Sequence, residues 1–187
     1  MTTAFTSMSD AELVTLALAR EDAAFAEIVR RHRAPLYRLA RASLGDADDA
    51  LDATQDSFVR AYRSLSRFDL ERPLRPWLVR IVLNACRDRI RRRMVRRYML
   101  PFAAEAHDRV ADDSPHQGVV AGDRQDLERT LRAIAALPAA TREPLVLCAI
   151  DGMSQADAAT ILGISIKAVE TRVRRAREAL RTALDRV

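Results

Sequence analysis

Apolar residues along this chain return at three- and four-residue intervals, with little of the strict alternation that marks strands, which predicts helices throughout. A capping-box pattern, Ser9-Asp-Ala-Glu12, opens a short helix reaching about Arg20. The next run starts at Asp22 and sets Phe25, Ile28, Val29, Leu36, Leu39 and Ala40 on one side. Pro35 lies inside it, so one bent helix or two abutting ones satisfy the pattern, and Gly45-Asp46 ends it. From Asp48 to Leu65, one stripe holds Leu51, Thr54, Phe58, Ala61 and Leu65, leaving Asp52, Gln55, Asp56 and Arg63 on other faces. A loop, Ser66 to Pro76, precedes a helix from Trp77 to about Arg97. That helix begins with packing positions (Leu78, Ile81, Val82, Ala85) and ends as a cationic rod, with seven arginines and one aspartate between Arg87 and Arg97.

Near the end of the chain the pattern changes to helix, glycine turn, helix. Ser154 caps the first of these, Gly163 supplies the turn's backbone freedom, and Ser165 caps the second. The second places Ile166, Val169, Val173, Ala176, Leu180 and Leu184 on an apolar face, with Lys167, Thr171, Arg174 and Arg175 opposite. A helix packed on one side and cationic on the other, set after a small turn, is how a helix-turn-helix enters a DNA major groove. A helical hairpin with a solvated basic face is the plainer alternative. Small Ala159, Gly163 and Val169, set where that motif needs them, favour DNA.

Charge divides the chain. Residues 1–102 carry 19 bases against 13 acids, residues 103–126 carry 2 against 6, and residues 127–187 carry 10 against 7. Two basic blocks are thus joined by an acidic, aperiodic segment containing Asp112-Asp113-Ser-Pro115, which reads as a flexible linker. The expected architecture is all-α, with two small helical domains over residues 9–100 and 127–187 and a linker over 101–126. Basic domains on a tether suit a partner presenting two phosphate-rich sites. Only five glycines and abundant Ala, Leu and Arg agree with an all-helical reading. No apolar run is long enough to insert in a membrane, and no secretory signal pattern opens the chain, so a cytoplasmic location is expected. Cys86 and Cys148 each sit in an apolar helical pattern and read as buried free thiols.

The arginine rod follows a loop carrying Phe68 and a helix carrying Trp77 and Asn84. Cations that track a backbone, beside apolar and amide groups able to hold an unstacked base, form a plausible single-strand surface. Trp77 itself reads more readily as a core anchor than as a stacking platform.

These pieces resemble the extracytoplasmic-function (ECF) group of bacterial sigma-70-type sigma factors. The run from Phe25 through Arg93 resembles that group's region two, through Gly45-Asp46-Ala47-Asp48-Asp49-Ala50, Asp52-Ala-Thr-Gln55-Asp56-Ser-Phe58 and Pro76-Trp77-Leu78-Val-Arg80-Ile-Val-Leu-Asn84-Ala-Cys-Arg-Asp88. The run from Leu137 through Leu180 resembles region four.

The resemblance implies a transcription initiation subunit with no catalysis, no cofactor and no metal of its own. It places Asp52, Gln55 and Asp56 against the clamp of the RNA polymerase largest subunit. Short acid and amide groups on a rigid helix suit an arginine-rich coiled coil there. Leu51 departs from the acidic residue common at its position. The β-subunit flap and promoter DNA are implied as further partners, and an anti-sigma factor as the regulator. Recognition and melting of the −10 element fall to Phe68, Asp69, Arg75, Arg80, Asn84, Arg87 and Arg91. Asn84 can offer a base edge both a donor and an acceptor, and the arginines hold phosphates. Recognition of the −35 element falls to Lys167, Glu170, Thr171, Arg174 and Arg175. Arg175 suits bidentate pairing with guanine, while Glu170 either accepts from cytosine or pairs with Arg174 one turn on.

Three other functions fit these residues less well. A plain helix-turn-helix regulator leaves the Asp–Gln helix and the arginine rod unexplained. A decoy that only sequesters an anti-sigma factor has no need of Asn84 and the arginines. An enzyme is disfavoured by three scattered histidines, His32, His107 and His116, with no nucleophile elbow or phosphate-cradling loop.

Overall fold

The structure, a computed structural model, describes residues 3–99 and 118–185. Helices account for nearly all of it: α1 (Thr3–Thr6), α2 (Asp10–Leu18), α3 (Asp22–Leu44), α4 (Ala47–Ser64), α5 (Leu74–Met99), α6 (Gly118–Ala136), α7 (Ala139–Leu145), α8 (Gln155–Leu162) and α9 (Ile166–Leu184). The expected linker lies outside the described residues over 101–117, and its last part does not. Residues 118–126 are helical, forming the start of α6. Two glycines and sparse apolar residues hid this helix. It is held instead from outside: Leu131 and Ile134 pack on the core, and Arg129 donates to the Leu184 carbonyl at 2.6 Å.

Local chemistry explains most boundaries. Ser9 caps α2, its hydroxyl accepting from the Glu12 amide at 3.3 Å while the Glu12 carboxylate accepts from the Ser9 amide at 2.7 Å. Asp46, Ser154 and Ser165 cap α4, α8 and α9 more simply, each side chain accepting from the amide three residues on. Pro35 sits within α3, which runs on as one helix without the backbone hydrogen bond that a proline cannot donate. Gly45 ends α3 at φ +73°, and a Cβ there would lie 2.8 Å from Cβ of Ala135 in α6.

Helices α2 to α5 pack around Leu13, Ile28, Leu36, Leu39, Leu78 and Val82, all essentially inaccessible. Helices α7 to α9 pack around Val146, Leu147, Val169 and Val173. Between α7 and α8 the chain widens into a π-helical turn, Val146–Ile150, closed by the Asp151 amide donating to the Val146 carbonyl at 3.0 Å. The two halves do not stand apart. Helix α6 and the π turn pack on α3, α8 packs on α5, and the buried apolar residues form one continuous cluster.

Some expected apolar positions are corrected. Ile166 heads the α9 stripe in sequence yet is 53% exposed, because the first turn of α9 projects beyond the core. Leu51 is only half-buried, and Ala50, Ala53 and Ser57 join Thr54, Phe58 and Ala61 on the buried side of α4. Cys86 is buried and Cys148 only half so; both are free thiols.

Candidate nucleic-acid and polymerase interfaces

Packing on one side of α4 leaves Asp52, Gln55 and Asp56 exposed together on the other. Gln55 and Asp56 each stand about one helical turn beyond Asp52, so all three side chains lie on one exposed side of α4. Arg89 of α5 reaches across to that stripe. Its guanidinium stands 3.0 Å from Asp56 Oδ2, 3.5 Å from Asp52 Oδ2 and 3.4 Å from Asp49 Oδ1. Arg93 also pairs with Asp49. The carboxylates are therefore steered by cations from the next helix, a role that helical spacing within α4 could not disclose.

The residues expected to meet the −10 element fall on the loop before α5 and on α5 itself. Phe68 packs on Trp77 with ring centroids 5.1 Å apart, and both are half-buried, which makes Trp77 an anchor for the loop. Asp69 organises the loop by accepting from the Glu71 amide and from Arg72 Nε, each at 3.1 Å. Asn84, Arg87 and Arg91 share a shallow cleft of about 480 Å³ with Arg60 and Asp88. In it Asn84 Oδ1 accepts from Arg87 at 3.0 Å, while Asp88 is shared by Arg60 (3.1 Å) and Arg91 (3.3 Å). Arg80 is exposed one turn N-terminal to Asn84.

Arg75 and Arg87 are partly exposed, yet each is already paired with an acid of the C-terminal half. Arg87 makes a forked pair with Glu143 of α7, Nε to Oε1 at 2.6 Å and one terminal nitrogen to Oε2 at 2.5 Å. The Glu143 carboxylate at this fork raises the Arg87 pKa above its ordinary value. Arg75 donates to Asp151 at 2.6 Å. Of the residues expected to meet the −10 element, these two are the ones paired with acids of the C-terminal half, and Arg87 still lines the cleft beside Asn84. Sequence reading passed over Glu143 and Asp151, since acids inside an apolar helical run look like ordinary surface residues.

On α9, Lys167, Glu170, Arg174 and Arg175 are exposed and Thr171 is half-buried, its hydroxyl donating to the Lys167 carbonyl at 2.9 Å. Arg174 pairs with Glu178 at 3.1 Å, not with Glu170. Among the described residues Glu170 forms no ion pair, so its carboxylate stands free on the cationic face.

A capped helix-turn-helix on one half, and an arginine-lined cleft behind an aromatic loop on the other, define a two-part DNA-binding protein of helical architecture. Sequence comparison makes the class specific. Residues 28–101 match the family model for Sigma-70 region 2, and residues 127–180 match that for Sigma-70, region 4. The chain is 40% identical over 183 residues to the RNA polymerase sigma factor CnrH of Cupriavidus metallidurans, covering 95% of each chain. It is 35% identical to the ECF RNA polymerase sigma factor SigM of Mycobacterium tuberculosis, over 92% of this chain and 83% of that one. Among solved structures, CnrH in complex with the cytosolic domain of CnrY matches with a TM-score of 0.69 at 35% identity, over 94% of this chain and 97% of that one. The sigma factor RpoE of Bartonella quintana, solved with the anti-sigma factor NepR, matches at 0.67 and 27% identity, over 86% and 96%. The chain belongs to the ECF group of sigma-70-type RNA polymerase sigma factors, which are transcription initiation factors and not enzymes.

Proposed function

We propose that this protein binds core RNA polymerase through Asp52, Gln55 and Asp56 and carries it to promoters with paired −35 and −10 elements. The observation that carries this reading is the division of labour across α4 and α5. One exposed stripe is acidic and amide-bearing; the neighbouring face is arginine-rich and holds Asn84 in a cleft. Opposite charges on adjoining faces suit a basic protein partner on one side and a nucleic acid on the other. The largest-subunit clamp meets the first face and the −10 strand meets the second, through Phe68, Asp69, Arg80, Asn84 and Arg91, with Arg75 and Arg87 recruited when they are released. Lys167, Glu170, Thr171, Arg174 and Arg175 read the −35 element, and the C-terminal half rests on the β-subunit flap.

Among the described residues no helix is long and apolar enough to cross a membrane, and the protein works in the cytoplasm, where core polymerase is. An anti-sigma factor holds it inactive until a signal arrives. The support is that the RpoE structure above holds the anti-sigma factor NepR, and the CnrH structure holds a partner chain too, the cytosolic domain of CnrY.

The test separates the two faces. Asp52→Ala with Asp56→Ala is expected to weaken binding to core polymerase, while Asn84→Ala leaves core binding intact and lowers open-complex formation. Equal loss of core binding in both would overturn the assignment.

A further inference from the structure

The second helix of the helix-turn-helix begins on an apolar side chain that the core does not take. Ile166 is the first residue of α9 and is 53% exposed; among the described residues it is the one large apolar side chain of that helix so placed. The turn before it is fixed on both sides. The Gly163 and Ile164 amides donate to the Ala159 carbonyl, the latter at 3.1 Å. The Ser165 hydroxyl accepts from the Ala168 amide at 3.2 Å. Val169, three residues on, is fully buried and anchors the helix, with Val173 and Ala176 following it into the core. Ile164 is half-buried and packs on the same core, so the isoleucine that leaves it at this turn is Ile166.

Single exposed apolar residues are ordinary on protein surfaces; the place of this one carries the argument. Cα–Cβ bonds tilt toward a helix's N-terminus, so Ile166 extends off the leading end of α9. That is the end a recognition helix sets against base edges. Lys167 beside it and Glu170 one turn on are exposed as well. Being β-branched, isoleucine keeps essentially one rotamer in a helix and loses little freedom on contact.

We infer that Ile166 reads the 5-methyl group of a thymine in the −35 element. This rests on the reading of α9 as the −35 helix. In the major groove, thymine is the base that offers an apolar methyl. Set against the amino group of cytosine, or the polar edges of adenine and guanine, an isoleucine strips away water and returns no hydrogen bond. Arg175 lies nine residues on, about 14 Å along the helix axis, so the thymine and a guanine paired with Arg175 are different bases. The first turn of α9 thereby adds specificity by exclusion, at a position where the cationic side chains do not reach.

The experiment uses the full-length protein with core RNA polymerase on a promoter selected from a library of duplexes. Each −35 thymine, on either strand, is replaced in turn by deoxyuridine, which lacks only the methyl, and open-complex formation is followed at limiting holoenzyme. Wild type is expected to lose about fourfold at one thymine, the worth of one buried methyl group. Ile166→Ala is expected to be weaker than wild type on the thymine template and indifferent to uridine at that position. Ile166→Val, a smaller change at the same exposed position, should keep part of the uridine effect. Lys167→Ala removes a cation and leaves the isoleucine, so it should lower use of both templates alike and keep the wild-type ratio. A selected −35 element without thymine, or without a uridine-sensitive thymine, overturns the inference. So does a uridine effect that survives intact in Ile166→Ala. In these cases the reading of α9 stands if Lys167→Ala and Arg175→Ala still lower promoter use. If neither of those variants alters promoter use, that reading falls and the inference with it.

Discussion

Arg89 of α5 holds Asp56 of α4 at 3.0 Å and reaches Asp52 at 3.5 Å, so the two acids proposed for the polymerase clamp are positioned from the helix proposed to meet DNA. Arg89 is mostly buried, and removing it leaves half-buried Asp49 with less compensation. Arg89→Leu is expected to destabilise the fold by about 1–3 kcal/mol, read from urea unfolding. Arg89→Lys should recover only part of this, since an ammonium cannot fork between carboxylates. A neutral effect of Arg89→Leu would show that the cluster contributes nothing to stability.

Two glycines with left-handed backbone offer a comparison. Gly163 has φ +67° with open space around its Cβ position, whereas Gly45 has φ +73° with Ala135 only 2.8 Å away. Gly163→Ala carries backbone strain alone, about 1–2 kcal/mol. Gly45→Ala adds a collision with α6, so it should lower the melting temperature more. Equal losses would mean that α6 leaves α3 in solution.

Acid should weaken the fold through Glu27. Its carboxyl is drawn from the ordinary 4.5 down to about 2, first by the hydrogen bond from Arg30 (Nε to Oε2, 2.6 Å) and then by Arg31. Burial pushes the other way and is overcome. A carboxyl depressed in the folded state stabilises it above its unfolded pKa, and that stability is lost as pH falls through the folded value. The loss from this group therefore falls between about pH 4.5 and 2. Glu27→Gln should be less stable at neutral pH and show a shallower acid transition in that window, followed by circular dichroism. An unchanged acid profile would contradict the assignment.

The buried thiol should be silent. Burial pushes Cys86 up to about 12, and its side chain is 2% exposed, so it carries almost no thiolate near neutral pH. Burial raises Cys148 too, though it is half-exposed by comparison. Ellman's reagent is expected to label Cys148 slowly in the folded protein and Cys86 only after unfolding. Prompt native labelling of Cys86 in a Cys148→Ala variant would contradict this.

Glu170 carries the −35 prediction. Its carboxylate is free because Arg174 pairs with Glu178. Accepting from a cytosine amino group is the base contact open to it. Glu170→Ala is expected to change which −35 sequences a promoter library yields, and an unaltered preference would remove Glu170 from the reading face.

How much of this was legible in the sequence depends on range. Caps at Ser9, Ser154 and Ser165 are local hydrogen bonds between near neighbours, and they could be read directly. So could the exposure of Asp52, Gln55 and Asp56, which follows from which side of α4 is apolar. Pro35 could not be settled, because continuity of α3 depends on packing and not on the residue itself. The start of α6 at Gly118 was missed for a similar reason, since its anchors lie in α3 and α9. Arg87 with Glu143 is 56 residues apart in sequence and Arg75 with Asp151 is 76. No periodicity connects such positions, so the pairing of two arginines proposed for the −10 surface emerged only from the fold.

Promoter-directed initiation by this protein can be measured directly. Purified protein added to bacterial core RNA polymerase and a library of promoter-sized duplexes is expected to yield run-off transcripts whose start sites share one −35 and one −10 element. Asn84→Ala should depress those starts. Duplex binding with no affinity for core polymerase and no defined start site would contradict it.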